Sequence, residues 1–486
     1  MASSEYVTVK IANEEMRLPV GDNGQTLLEL LRDNDIVVSA PCGGNGTCKQ
    51  CKVSVNGEEV LACQTAPQAG MVVVLPETGN ERILTDHMDI PKGGKGLGLA
   101  VDIGTTTTAV YIYDLEAGIC LRTKGAMNAQ RAYGADVISR IQHAGTPQGL
   151  AELRDVIRQQ IMDMARELCP DLGDITYVSI AGNTVMEHLF AGLDPTGIGV
   201  APFTPLSLFG EEYPASDYLE GFSPDCRLYM CPAVAGYVGG DITAGLLSSG
   251  AAQSEREVLF IDVGTNGEMA MGDRNGLACC ATAAGPAFEG AEIECGSMAQ
   301  DGAINTVADD LTFTVLGDTE AKSICGSGLI DAVAALLRNE ILDETGLLEE
   351  EQYMFNDRVY ISRKDIRNLQ LAKAAIRAGI ETLLKIRKAS YEEINEVLIA
   401  GGFGAYMNVK SACTIGLLPP GLINKTRYVG NSAGKGASMA LTPEGRAELK
   451  VIAEKCMYEE LSSSSLFNGE YINAMMFDEW EEVEDD

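Results

Sequence analysis

Two seven-residue stretches organise this sequence, Leu99-Ala100-Val101-Asp102-Ile103-Gly104-Thr105 and Leu259-Phe260-Ile261-Asp262-Val263-Gly264-Thr265. Each is an apolar run, typical of a buried strand, that ends in Asp-x-Gly-Thr, and the second copy starts 160 residues after the first. A further apolar run that predicts a strand follows each copy, at residues 109–113 and 268–271. The repeat therefore predicts two related α/β halves that begin near residues 97 and 257.

The Asp-x-Gly-Thr motif suits phosphate binding. A tight turn between two strands exposes backbone N–H groups and threonine hydroxyls, and glycine leaves no Cβ in the way. The aspartate at the strand end can hold Mg²⁺ through water, because hard cations prefer oxygen ligands. A third motif at residues 397–404, VLIAGGFG, predicts a buried strand ending in a glycine turn, where a flat adenine could lie against bare backbone. Together the three motifs indicate an ATP site.

At these motifs the chain resembles the actin, Hsp70 and sugar-kinase superfamily, whose members bind ATP in a cleft between two duplicated lobes. The resemblance implies phosphate sites in both halves and an adenosine site, formed by Asp102, Gly104, Thr105 and Thr106, by Asp262, Gly264, Thr265 and Asn266, and by Gly401, Gly402 and Gly404. The alternative is a duplicated fold with an inactive nucleotide site, which is disfavoured because both aspartates are present.

Asp241 starts an apparent helix just before the second half, within the stretch Gly-Gly-Asp-Ile-Thr-Ala-Gly. Related kinases place a catalytic acid at a similar helix start, so the resemblance implies that role for Asp241. An ordinary helix N-cap is the competing interpretation, because Asp is a common capping residue.

Four cysteines lie within 22 residues, in the pattern Cys42-x5-Cys48-x2-Cys51-x11-Cys63. Three thiolates on one short loop and a fourth from a neighbouring strand can surround two irons, and the glycines of the loop let it approach closely. Zinc sites usually pair two Cys-x2–4-Cys knuckles, and the cluster contains one. The pattern favours a [2Fe–2S] cluster over zinc and over four structural cysteines.

This cluster resembles that of plant- and vertebrate-type [2Fe–2S] ferredoxins, with a first gap one residue longer than the plant spacing. The resemblance implies a β-grasp, ferredoxin-like domain over residues 1–90. Its predicted elements are strands at 6–11, 16–20, 52–55 and 71–75, a helix at 27–31 capped near Thr26, and a hairpin turn at Asn56-Gly57. We expect a flexible glycine-rich linker at 91–96, a first lobe at 97–256, a second lobe at 257–470 and an acidic tail at 471–486.

Composition limits the partners and the compartment. The chain has 486 residues, of which 36 are basic and 70 acidic, so its net charge is −34. Nucleic acids and anionic membrane surfaces repel such a chain. The sequence has no apolar run of membrane-spanning length, and its N-terminus lacks the segments of a signal peptide. We therefore expect a cytoplasmic protein that binds neither nucleic acid nor membrane.

A [2Fe–2S] ferredoxin joined to a lobed ATPase resembles the reductive activators of corrinoid-dependent methyltransferases. Other stretches that look like this family lie at residues 181–189, 201–203 and 371–380. The resemblance implies ATP-dependent transfer of one electron from the cluster to Co(II), which regenerates Co(I) in a corrinoid protein. It also implies a low-potential electron donor, and we expect a homodimer. One departure is that many members carry a longer spacer between the cluster and the ATPase.

Two other functions fit parts of the sequence. The chain could phosphorylate a small molecule and use its cluster as a redox sensor. It could instead activate a radical dehydratase, but such activators hold a [4Fe–4S] cluster between subunits and lack a ferredoxin domain.

Overall fold

The computed structural model describes residues 6–11, 14–20, 24–34, 36, 38, 44, 46, 51–75, 84–402 and 407–477. Cys42, Cys48, Gly404 and the acidic residues 478–486 lie outside the described residues. Within the described ranges, no helix combines the length and the apolarity that crossing a bilayer requires.

The first unit is a five-stranded sheet with one helix packed against it. Helix α1 buries all four of its leucines in the core of the unit, and a capping box between Thr26 and Glu29 starts it. The strand order is β2-β1-β5-β3-β4, with β1 parallel to β5 and the other pairs antiparallel. This arrangement matches the predicted β-grasp fold. The elements are β1 (Tyr6–Ile11), β2 (Glu14–Pro19), α1 (Leu27–Arg32), β3 (Lys52–Val55), β4 (Glu58–Leu61) and β5 (Val72–Val74).

Strand β4 is an element that the sequence pattern did not predict. Two consecutive glutamates, Glu58 and Glu59, hide the apolar alternation typical of a strand. The strand forms because the Asn56-Gly57 turn, with φ of 53° and 93°, folds the chain back onto β3. It lies at the edge of the sheet, where exposed charges are well tolerated.

The first lobe is a six-stranded sheet in which β6 carries the first Asp-x-Gly-Thr motif. The strand order is β10-β11-β9-β6-β7-β8, and β6 is antiparallel to β7 and parallel to β9. Helices α2, α3 and α4 cover one face of the sheet. The elements are β6 (Leu97–Ile103), β7 (Thr107–Asp114), β8 (Ile119–Met127), α2 (Val137–His143), α3 (Pro147–Leu168), β9 (Ile175–Gly182), α4 (Thr184–Ala191), β10 (Glu212–Pro214), β11 (Arg227–Met230) and α5 (Gly240–Ser249).

The second lobe repeats this pairing around β12, the strand of the second motif. Its main sheet has the order β21-β20-β12-β13-β14-β22, and β12 is antiparallel to β13 and parallel to β20. The repeat confirms the duplicated, two-lobed α/β fold. The elements are β12 (Val258–Val263), β13 (Gly267–Asp273), β14 (Gly276–Thr282), β15 (Ala303–Val307), β16 (Phe313–Val315), β17 (Ser323–Ile324), α6 (Gly326–Arg338), β18 (Gln352–Met354), β19 (Tyr360–Ser362), α7 (Arg363–Arg387), β20 (Glu396–Ala400), α8 (Val409–Thr414), β21 (Thr426–Gly430), α9 (Ser432–Met439), α10 (Pro443–Lys455), β22 (Cys456–Tyr458) and α11 (Ser465–Asn473).

Helices α5 and α9 join the two lobes. They pack against each other in a hydrophobic core that contains residues of both main sheets. Their approach is close, because a Cβ on Gly436 of α9 would overlap the backbone of Ala244 in α5. The two sheets are therefore held in a defined relation to each other.

Residues 84–96, here called the connector, lie in the chain between the ferredoxin-like unit and the first lobe. The flexible linker at 91–96 stays a prediction, and the structure places the connector along the first lobe. Ile90 is buried and donates its N–H to the Gly118 carbonyl at 2.9 Å, and Gly94 donates to the Leu115 carbonyl at 3.1 Å. Glycines permit flexibility in isolation, but without side chains they also let the backbone approach closely enough to bond to the first lobe.

Candidate functional site

The two Asp-x-Gly-Thr turns meet at one cleft between the lobes. The cleft encloses about 220 Å³ and is lined by residues of β6, β12 and the turns that follow them. It therefore brings the three sequence motifs together. The described residues predicted for the ATP site all line it, namely Asp102, Gly104, Thr105, Thr106, Asp241, Asp262, Gly264, Thr265, Asn266, Gly401 and Gly402.

The glycines of these turns serve two purposes. A Cβ on Gly104 would lie 2.8 Å from a backbone carbonyl oxygen, and one on Gly401, with φ +92°, would lie 2.6 Å from another. These two positions therefore require glycine. A Cβ on Gly264 or Gly402 would meet nothing within 4 Å. Those two glycines leave open surface at the second phosphate turn and beside the predicted adenosine position.

Several carboxyl groups are withdrawn from water around the cleft. This desolvation raises the pKa of Asp102 to about 6, that of Asp262 to about 7 and that of Asp241 to about 8. Repulsion adds to the effect, because Asp102 raises the pKa of Asp262, and Asp262 that of Asp241. Desolvation, together with repulsion from Asp241 and Asp262, holds the pKa of Glu268 well above its usual value. Asp241 and Glu268 therefore hold protons more tightly than a solvated carboxyl group does, and a bound cation would lower the pKa of every carboxyl group here.

A site rich in carboxylate oxygens suits a hard divalent cation such as Mg²⁺. In the part of the chain that the structure describes, no three acidic, histidine or cysteine side chains converge closely enough to bind a metal ion by themselves. Mg²⁺ commonly keeps several waters and takes other ligands from substrate phosphates. The residues present therefore fit a magnesium ion held mainly through water and nucleotide.

Asp241 lies in the first turn of α5, and its interpretation as an N-cap is wrong. Gly239 is the N-cap residue, and no side chain caps the helix. Asp241 Oδ1 instead accepts a hydrogen bond from the Ile242 N–H at 2.8 Å. Its position on the cleft wall, with Asp262 as a charged neighbour, is compatible with the catalytic role, which stays a prediction.

Glu289, which no sequence pattern singled out, bridges the two phosphate turns. Its carboxylate accepts a hydrogen bond from the Thr106 hydroxyl in the first lobe at 3.1 Å and from the Thr265 hydroxyl in the second lobe at 2.9 Å. Desolvation raises the pKa of this carboxyl group. The bridge links the lobes at the place where phosphate is expected.

Two helix-capping asparagines also reach into the cleft. Asn183 caps α4 and donates from Nδ2 to Thr105 Oγ1 at 2.9 Å, while Asn431 caps α9 and donates from Nδ2 to Asp102 Oδ2 at 2.8 Å. In each residue Oδ1 accepts a backbone N–H of its own helix, which fixes the orientation of the amide. Helix capping was the one local signal that could have found them.

Two of the four predicted cluster cysteines are described. Cys51 and Cys63 are buried, and the Cys63 N–H donates to Cys51 Sγ at 3.5 Å. Gly44, with φ +99°, lies near Cys63, so that a Cβ on it would lie 3.9 Å from Cys63 Cβ. Two adjacent buried thiols fit a thiolate-bound cluster.

Three family models match successive parts of the chain. Residues 9–68 match the 2Fe-2S iron-sulfur cluster binding domain, residues 97–254 match the RACo middle region, and residues 256–484 match the C-terminal domain of RACo, the ASKHA domain. The first match favours an iron–sulfur cluster over zinc.

Known proteins resemble the chain along most of its length. The corrinoid activation enzyme RamQ of Eubacterium limosum is 30% identical over 90% of this chain and 93% of its own. The [Co(II) methylated amine-specific corrinoid protein] reductase of Methanosarcina barkeri is 27% identical over 77% of this chain and 76% of its own. A solved structure of a reductive activator for corrinoid, iron-sulfur protein is 32% identical, covers 98% of both chains and superposes with a TM-score of 0.71.

Proposed function

Because the chain belongs to the RACo family, we propose that it is an ATP-dependent reductive activase that returns a corrinoid protein from Co(II) to Co(I). The observation that carries the proposal is that a single chain joins a ferredoxin-like unit to a nucleotide cleft. Relatives that are similar along most of their length, and that are named for corrinoid proteins, support it. These relatives favour this function over a small-molecule kinase and over a dehydratase activator.

The cleft residues divide the work of binding the nucleotide. Gly402 leaves open space that an adenine can occupy, while the two Asp-x-Gly-Thr turns offer backbone N–H groups to the phosphates. The hydroxyls of Thr106 and Thr265 reach the same space from opposite lobes. A phosphate chain that reaches both turns would therefore hold the lobes together.

The carboxylates of the cleft supply the charge and the proton acceptor. Asp102 and Asp262 are the residues that we expect to orient the water ligands of a magnesium ion, which when bound neutralises phosphate charge. Asp241 is our candidate to accept a proton from the attacking water, because it lies on the cleft wall and burial makes its carboxylate more basic than a solvated one.

Electron delivery starts in the ferredoxin-like unit. When bound, a plant-type [2Fe–2S] cluster supplies a one-electron carrier with a reduction potential of about −400 mV. The substrate cobalt needs a lower potential than most cellular donors reach, and each ~59 mV uphill lowers the equilibrium constant tenfold. In this proposal ATP binding or hydrolysis supplies the deficit, for instance by changing an axial ligand of the substrate cobalt. One electron converts Co(II) to Co(I), and a low-potential donor must replace it.

The compartment and the assembly state are further parts of the proposal. No disulfide joins any two of the twelve described cysteines, as is usual in a reducing cytoplasm. A net charge of −34 disfavours nucleic acid as a partner. The homodimer stays a prediction, which the mass of the purified protein in solution would check.

A Co(II) corrinoid protein is expected to stimulate ATP hydrolysis by this chain. A partner can promote closure of the cleft only by binding the closed state more tightly. Coupling of binding is reciprocal, so ATP is also expected to change the affinity for the corrinoid protein, by roughly 5- to 150-fold. Phosphate release measures the first effect, titration measures the second, and the cobalt absorption spectrum of the reduced mixture with and without ATP measures reduction itself.

The control for this experiment is the same mixture with a corrinoid protein already held as Co(I), which needs no electron. If every tested corrinoid protein leaves hydrolysis, affinity and the cobalt spectrum unchanged, the proposed function is wrong. Phosphorylation of a small molecule by the same preparation would then identify a kinase.

Without Mg²⁺ and nucleotide, the chain is expected to lose stability as pH rises from about 5 to 8.5. The folded pKa values of Asp102, Asp262 and Asp241, about 6, 7 and 8, exceed the unfolded value near 3.9. The stability that their protons contribute is complete below about pH 4 and is lost as pH rises through the folded pKa values. For each proton that the folded chain binds and the unfolded chain does not, the free energy of unfolding falls by about 1.4 kcal/mol per pH unit. Thermal unfolding across this range checks the trend.

Asp241→Asn is expected to flatten this pH dependence, and so is Mg²⁺ with a non-hydrolysable ATP analogue. Asp273→Asn is the matched control, because Asp273 lies at the end of β13 outside the cleft and its neighbours lower its pKa. If Asp241→Asn and wild type show the same slope, Asp241 does not hold a proton in the folded chain.

A further inference from the structure

The connector packs along the first lobe, and its N-terminal described residue lies at the cleft. The Thr123 hydroxyl donates to the Thr85 hydroxyl at 3.2 Å, and the Tyr113 hydroxyl donates to the Met88 carbonyl at 2.8 Å. Leu84, the first described residue of the connector, lines the nucleotide cleft. The segment that leads from the ferredoxin-like unit into the first lobe is therefore in contact with the ATP site.

Asp86 of the connector makes specific contacts with the second lobe. Its Oδ1 accepts a hydrogen bond from the Asn431 N–H at 2.8 Å, and its Oδ2 forms an ion pair with Lys435. The Lys435 ammonium also donates to the Val429 carbonyl at 2.9 Å. Gly430, with φ +80°, leaves the space for the carboxylate, because a Cβ there would overlap Asp86 Oδ2. The second lobe thus provides a specific binding position for the Asp86 carboxylate.

Asn431 carries this contact into the cleft. Its backbone N–H is held by Asp86, while its side-chain amide donates to Asp102 Oδ2 at 2.8 Å and to the Tyr111 hydroxyl at 3.2 Å. A carboxylate acceptor forms a stronger hydrogen bond with a backbone N–H than a neutral acceptor does. Removing Asp86 would release the backbone of Asn431, and with it the amide that orients Asp102.

We propose that Asp86 is a positioning residue of the nucleotide site, and that the connector of the ferredoxin-like unit completes the ATP cleft by fixing Asn431 against Asp102. This inference deepens the proposed function and rests on its ATP site. It gives the electron-carrying unit and the ATPase a direct physical link. Because coupling of binding is reciprocal, nucleotide binding also stabilises the seated connector.

The test measures the dissociation constant of a non-hydrolysable ATP analogue with Mg²⁺ in full-length variants. Asp86→Ala is expected to raise this constant about tenfold, the size of effect typical of losing a hydrogen bond to a charged group. The matched control is Asp89→Ala, because Asp89 carries the same charge on the same connector but is exposed. It is expected to change the constant less than twofold, and the visible absorption of the cluster is expected to stay unchanged in both variants.

A double-mutant cycle separates positioning from a general structural effect. If Asp86 acts through the amide of Asn431, then Asp86→Ala is expected to change the constant less than twofold in an Asn431→Ala background. Equal constants for Asp86→Ala and Asp89→Ala would overturn the inference, and so would a tenfold effect that persists in the Asn431→Ala background. If Asp86→Ala does not fold, Asp86→Asn takes its place in the same comparisons, with a smaller expected shift.

The outcomes also distinguish this inference from the proposed function. Normal analogue binding by wild type, together with no reduction of any corrinoid protein, would overturn the function and leave the role of Asp86 intact. An unchanged constant in Asp86→Ala would overturn the inference alone. Failure of wild type to bind the analogue would overturn both.

Discussion

Replacing Cys51 by serine is expected to remove the visible absorption of the iron–sulfur cluster and to lower the rate of corrinoid reduction by more than about 100-fold. Serine is a far poorer ligand for iron than a thiolate, and Cys51 is buried beside Cys63 where no other thiol among the described residues replaces it. ATP hydrolysis is expected to remain, because the described residues that line the cleft lie at position 84 and beyond. Absorption spectra and phosphate release measure the two effects. Cys48→Ser is expected to behave in the same way.

Cys295→Ser is the matched control for this substitution. Cys295 is a partly exposed thiol of the second lobe, outside the residues that line the cleft, and its loss is expected to leave the spectrum unchanged. Iron and acid-labile sulfide, measured in the purified wild-type protein, test the premise directly. Zinc in place of iron would contradict the electron-transfer function.

Asp262→Asn is expected to lower Mg²⁺-dependent ATP hydrolysis by roughly 100- to 1000-fold, the range seen when one preorganised electrostatic group is lost from an active site. The substitution keeps the shape of the side chain and removes a charge that helps to hold the cation. Asp102→Asn is expected to have a similar effect. ADP binding is expected to persist in both variants, because the turns bind phosphate through their backbone. Phosphate release at saturating MgATP and titration with ADP measure the two quantities.

The control for both substitutions is Asp273→Asn, which changes the same functional group at the far end of β13. It is expected to hydrolyse ATP at the wild-type rate. Wild-type rates in Asp262→Asn and Asp102→Asn as well would show that the phosphate turns are assigned wrongly.

The sequence predicted well those elements whose identity depends on neighbours a few residues away. The helix at 27–31 and the strand at 52–55 coincide closely with α1 and β3, because leucine spacing and strand alternation are local patterns. The repeated strands β6 and β12 were predicted for the same reason, since an apolar run before Asp-x-Gly-Thr is visible in sequence.

The features that the sequence did not reveal depended on distant parts of the chain. The sequence predicted a flexible linker at 91–96 but gave no sign that Gly94 would donate to the Leu115 carbonyl of the first lobe. Asp241 was an equally good N-cap by composition, but the packing of α5 places Gly239 at the cap and leaves Asp241 on the cleft wall. The local sequence does not show which residue the packing of a neighbouring element places at a helix cap or at a site.

The sequence by itself determined which reactive groups this protein carries: four clustered cysteines that we predict to bind iron, and two Asp-x-Gly-Thr motifs that we predict to bind phosphate. Only the tertiary structure decided which groups complete the site. The hydrogen bonds from Thr106 to Glu289, from Asn431 to Asp102 and from Asn431 to Asp86 span 183, 329 and 345 residues of chain. Each requires two atoms to meet within about 3 Å. The packing of α5 and α9 between the two sheets sets those distances, and no pattern of neighbouring residues encodes them.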